Sequence, residues 1–147
     1  MKRQVYTTIG ALVLVTLVTI STAKAQSANQ PLVANIPFAF SAGDRTLPAG
    51  RYNVSIANPA SDQRVIKITN LETNETAMLQ THSKNGKADE GAKLVFNRYG
   101  ERYFLAQAWT GADSIGMEAS KSRAERAARK ELAPNARQTE TVALKRN

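Results

Sequence analysis

From Val33 to Trp109 the chain runs in short alternations of apolar and polar residues, interrupted every few positions by Gly, Pro or Asn. That is the period of half-buried strands, not of helices. Six strands are predicted, over residues 33–40, 51–57, 64–71, 75–82, 92–98 and 102–109. The first sets Ile36, Phe38 and Phe40 on one face, and Pro37 pushes it to an edge or a bulge because proline cannot donate to a ladder. The second groups Tyr52, Val54 and Ile56, and the third groups Ile66 and Ile68. The sixth is apolar on both faces, Tyr103 and Leu105 on one and Phe104, Ala106 and Ala108 on the other, as a central strand would be.

The links between these runs are short, and none reads as a crossover helix, so antiparallel neighbours are expected. Leu47-Pro48-Ala49-Gly50 is a turn with Pro at its second position, and Asn85-Gly86 and Tyr99-Gly100 read as hairpin tips. The stretch from Ser83 to Gly91 is longer than a tight hairpin needs and predicts a mobile loop or an extended ribbon. The fold class is therefore mainly β: an antiparallel up-and-down sheet of about six strands closing into a small sandwich or barrel.

Two segments break the alternation. At the front, Lys2 and Arg3 precede the apolar run 9–20, and Ala23-Lys24-Ala25 supplies small residues at the spacing signal peptidase accepts. Residues 1–25 are thus predicted to be a secretory signal peptide cleaved between Ala25 and Gln26, leaving no transmembrane segment. Behind Trp109, the β domain (26–117) gives way to a basic helix over 118–133 and then to a polar tail, 134–147, expected to be disordered. Ser122 and Glu125 have capping-box spacing, Glu125 and Arg129 stand four apart, and Pro134 ends the helix. Ala124, Ala127, Ala128 and Leu132 make only a thin apolar stripe. The helix is expected to dock weakly, and loss of residues 121–147 is expected to leave the β domain folded.

Charge sharpens this division. The formal charge is +8, and losing Lys2, Arg3 and Lys24 with the signal lowers it to +5. The segment 121–147 holds eight Lys and Arg against three Glu, so the remaining excess lies there. Lys121, Arg123, Arg126, Arg129 and Lys130 are the candidate contacts to an anionic surface. Nucleic acid is not expected as the partner, because the helix lacks interleaved aromatics and any groove-reading motif. An anionic envelope surface or an acidic glycan fits an exported chain better.

Reactive chemistry is sparse. There is no cysteine, which excludes disulfides, thiolate metal sites, a thiol nucleophile and a lipid-modified N-terminus. The single histidine, His82, has no G-x-S-x-G serine to serve, and Asp89, Glu90 and Asp113 follow no calcium-loop consensus. No catalytic residue, metal site or cofactor is predicted. The most unusual local feature is the aromatic and basic run 96–104 (FNRYGERYF), and Arg98, Tyr99, Arg102, Tyr103 and Trp109 are the candidate binding residues.

Residues 36–40 (IPFAF), 47–52 (LPAGRY), 95–105 (VFNRYGERYFL) and 120–125 (SKSRAE) together resemble a group of small exported bacterial proteins of uncharacterised function. The resemblance implies export to the periplasm or the medium and a β domain with a charged C-terminal tail. It brings no active site. The expected function is a non-enzymatic envelope or secreted binding module; the alternative is a barrel-like carrier of a small apolar ligand, and a hydrolase is least favoured.

Overall fold

Ten strands and one helix form among the residues described by the computed structural model, which are 31–58, 61, 64–87, 91–111, 114–132 and 137–146. The predicted signal peptide and its Ala25/Gln26 cleavage point lie outside the described residues, as do Asp89, Glu90, Asp113 and Pro134. The strands are β1 (Leu32–Ile36), β2 (Phe40–Ala42), β3 (Arg45–Leu47), β4 (Gly50–Ile56), β5 (Val65–Asn70), β6 (Thr76–Asn85), β7 (Lys93–Tyr99), β8 (Arg102–Trp109), β9 (Ile115–Ala119) and β10 (Gln138–Arg146). The helix α1 spans Arg123–Glu131.

Eight of the strands close an antiparallel barrel in the order β8-β7-β10-β1-β4-β5-β6-β9, with β9 returning to β8 through Gln107↔Glu118 and Ala108↔Met117. The mainly β, barrel-forming class expected from the alternation is what the chain adopts. Two meanders, β1-β4-β5-β6 and β7-β8-β9, are joined around the ring by β10.

β9 is only five residues long and reaches just the second half of β8. The first half is covered by the small hairpin β2-β3, whose Phe40 and Ser41 pair in parallel with Tyr103 and Phe104. The Arg45 guanidinium donates to the Thr76 carbonyl at 2.6 Å, tying this hairpin to the start of β6.

Inward positions fill the barrel with side chains, as expected where eight strands leave an interior about one side-chain layer wide. Ile36, Phe40, Tyr52, Ile66, Ile68, Leu94, Phe96 and Met117 are all buried in one cluster. Phe40 stands edge-on to both Tyr52 and Phe96, with ring centroids 5.3 Å apart in each pair. The Tyr52 hydroxyl donates to the Pro48 carbonyl at 2.6 Å, closing the Leu47–Gly50 turn back onto the core. At the β5–β6 turn, buried Asn70 accepts from the backbone amides of Glu72 and Thr73 at 2.8 and 3.0 Å.

The structure corrects several expectations. The strand predicted over 33–40 stops at Ile36, immediately before Pro37, and a new strand begins at Phe40. β1 is not at an edge, since β10 and β4 pair with it on either side. β6 continues past His82 to Asn85 because β9 pairs along Thr81–Asn85, so Asn85-Gly86 is not a hairpin tip. Gly86 donates instead to the Ser114 carbonyl at 2.9 Å. The β7–β8 hairpin closes with Tyr99 opposite Arg102, which makes Gly100-Glu101 its tip, with Gly100 at φ +61°.

The largest correction concerns the polar tail. Residues 138–146, expected to be disordered, form β10 in the barrel wall between β7 and β1. Only Val142 and Leu144 pack against the core. The strand is held by hydrogen-bonded ladders along both of its sides, which do not depend on apolar side chains. The expectation that the barrel is indifferent to the loss of residues 121–147 therefore does not stand.

Candidate functional site

The aromatic and basic run of the β7–β8 hairpin is divided between two faces. Arg98 pairs across the ladder with Tyr103, and its guanidinium lies 5.4 Å from that ring. Tyr103 stacks in turn on Phe38, centroids 3.9 Å apart and planes 14° from parallel. Arg98 also donates to the Gly100 carbonyl at 2.8 Å and pairs with Glu101 at 3.3 Å, so its head is committed to its own hairpin. Tyr99 points the other way and is buried. Arg102 forms an ion pair with Glu131 of α1.

Trp109 stands apart from all of these at the far end of β8. Its indole is buried against Gly116, and its Nε1 donates to Gln107 at 3.1 Å. The Lys93 ammonium is 6.0 Å from the ring centroid. The five residues predicted as one binding cluster therefore form no single surface: Arg98 and Tyr103 come together, while Tyr99 and Trp109 are structural.

Helix α1 lies on the outer wall over this hairpin. Ser122 caps it, its hydroxyl accepting from the Glu125 amide at 3.1 Å as the capping-box spacing predicts. The Glu125 carboxylate does something the spacing does not predict. It is buried, accepting from the Asn97 side-chain amide at 2.7 Å and from the Tyr99 hydroxyl at 3.4 Å. Burial raises the Tyr99 phenol above its ordinary range, and the neighbouring Glu125 carboxylate raises it further.

The helix face that docks is thus Glu125, Ala128 and Leu132, against Tyr99 and Phe104; Ala124 and Ala127 of the expected stripe are exposed. Lys121, Arg123, Arg126, Arg129 and Lys130 are all exposed. Arg126 reaches back to the Lys121 carbonyl at 2.5 Å.

Beside α1 the outer wall opens into a groove of about 340 Å³ that the sequence did not reveal. Its floor comes from an irregularity in the β7–β8 ladder. Val95 pairs with Gln107 and Phe96 with Leu105, leaving Ala106 as an extra residue with no partner opposite. A bulge of this kind re-aims side chains, and Val95, Ala106 and Gln107 all line the groove. Asn97 and Thr139 join them from β7 and β10.

No family model, curated protein or solved structure matches this chain.

Among the described residues, the charged side chains lining the groove are Lys84, Glu118, Lys121 and Arg137, together with the His82 imidazole. Glu118 is engaged by its neighbours: Lys84 Nζ is 2.8 Å from Oε1, Gln107 Nε2 donates to the same oxygen at 3.3 Å, and His82 Nε2 is 3.7 Å from Oε2. The hydrogen bond from Lys84 holds the Glu118 carboxyl below the ordinary carboxylate range, against the opposing effect of partial burial. Among the described residues Lys121 and Arg137 have no carboxylate partner. Three cations thus face one anion that is already paired.

Among the described residues, no three His, Asp or Glu side chains converge as a metal site would require, and no helix is long and apolar enough to cross a membrane.

Proposed function

We propose that this chain is an exported, non-enzymatic binding module of the bacterial envelope or its surroundings, and that it contacts an anionic surface through the outer wall carrying α1. The observation that carries this reading is the way α1 is fixed. Glu125, Ala128 and Leu132 hold it to the barrel, while Arg123, Arg126, Arg129 and Lys130 project into solution. A basic segment held in this way presents its charge without further ordering, and each Lys or Arg near an anionic leaflet contributes about 1 kcal/mol. The filled barrel interior supports contact on the outside over the alternative of an enclosed apolar ligand.

The test is co-sedimentation of the full chain with phosphatidylglycerol vesicles and with neutral phosphatidylcholine vesicles, the latter measuring any contribution of the apolar segment 9–20. Binding to the anionic vesicles should be the stronger, should weaken as salt shortens the screening length, and should fall to the neutral-vesicle level when Arg123, Arg126, Arg129 and Lys130 are all changed to Gln. Equal binding to both vesicle types would overturn the proposal. Export is tested separately, by N-terminal sequencing of protein recovered outside the cytoplasm, with Gln26 expected as the first residue.

A further inference from the structure

We propose that the outer-wall groove is a binding site for an acidic sugar, a hexuronate unit whose carboxylate is held by Lys121 and Arg137. The inference rests on the reading of this wall as anion-binding and gives that wall a defined small ligand. Four observations lead to it.

The first is size. The groove, at about 340 Å³, falls within the range of about 300 to 1,000 Å³ in which small-molecule sites lie. The second is charge. Lys84 is matched by Glu118, which leaves Lys121 and Arg137 facing the groove with no carboxylate partner among the described residues. An anionic group is the complement of that pair, and the arginine can take a carboxylate with two parallel hydrogen bonds.

The third is the rest of the lining. The Ser120 and Thr139 hydroxyls both donate and accept, which is what vicinal hydroxyls require, and the Asn97 side-chain carbonyl adds an acceptor; the Asn97 amide is given to Glu125, and Gln107 is held between Glu118 and Trp109. Bare phosphate has one or two P–OH donors and no ring, so it would use few of those acceptor atoms. The fourth is the floor. Val95 and Ala106, brought side by side by the bulge, offer a short apolar patch suited to the C–H face of a pyranose ring. Among the described residues no Phe, Tyr or Trp lines the groove, and its one imidazole, His82, faces Glu118, so a nucleobase would find little stacking platform there.

The experiment is isothermal titration of the full chain with trigalacturonate, with maltotriose as the uncharged counterpart and inorganic phosphate as the bare anion. Trigalacturonate should bind saturably and maltotriose should not. Lys121→Gln and Arg137→Gln should each weaken binding by at least about tenfold, the loss expected for one charge-assisted hydrogen bond. Lys67→Gln, on β5 and outside both the groove and the α1 face, should change it less than twofold. All three positions are exposed, and circular dichroism verifies that the variants fold.

The proposal is overturned by absence of saturable trigalacturonate binding, by equal binding of maltotriose, by groove variants that bind as well as the wild type, or by phosphate competing at equal concentration. Failure here with vesicle binding intact removes the sugar site alone. Loss of preference for anionic vesicles would remove the broader reading.

Discussion

The indole of Trp109 lies against the α-carbon of Gly116, where a β-carbon would come within 2.7 Å of three ring atoms. β9 can pair with β8 and β6 at that point because Gly116 has no side chain. Gly116→Ala is expected to destabilise the barrel by about 1 to 3 kcal/mol through overpacking. Trp109 is the only tryptophan, so its emission reports the site directly. The variant should show red-shifted emission and a lower urea midpoint; unchanged emission would mean that the ring has room to move.

Glu125 fixes α1 through the Asn97 amide and the Tyr99 hydroxyl. Glu125→Ala leaves both donors facing a gap and should cost about 1 to 3 kcal/mol. Glu125→Gln keeps an acceptor there and should cost less. If urea denaturation ranks the two variants in the opposite order, the carboxylate is not acting through these hydrogen bonds.

Removing residues 138–146 should abolish the native fold, because β1 and β7 each lose a ladder partner. The truncated chain is expected to lose its near-ultraviolet dichroism and to become protease-sensitive. A truncated form that kept both properties would show that β1 and β7 can pair without β10.

Tyr52 and Tyr99 both titrate above the ordinary phenol range because of burial. A raised acid keeps its proton in the folded state where the unfolded chain would release it. The resulting stabilisation is complete below about pH 10, the unfolded value, and is lost as pH rises through the raised values. In an alkaline titration two of the four tyrosines should ionise late, together with loss of structure. Tyr99→Phe should shift that transition upward.

The alternation of apolar residues located β4 to β6 because each of those strands buries one regular face, and short apolar runs located β7 and β8, which are buried on both faces. β9 was hidden because Gly116 and Met117 have little strand preference of their own; the requirement comes from Trp109, a tertiary contact. β10 was hidden for a different reason. Its first four residues are exposed, so no hydrophobic period marks a strand that is held by backbone pairing. The helix cap was legible at Ser122, where the signal is local, whereas the destination of the Glu125 carboxylate depended on the outer wall beside it. The groove was illegible altogether, because its floor depends on one unpaired residue, Ala106, and its charges come from segments far apart in the chain.

β10, the last described strand, pairs with the first, setting Arg146 opposite Leu32. A chain emerging from its N-terminus can assemble both meanders early, but the ring stays open until β10 is available. Until then β1 and β7 each present an unpaired edge that another strand could occupy. The segment that reads from the sequence as a dispensable tail is therefore the one that decides when, and with which partner, this barrel seals.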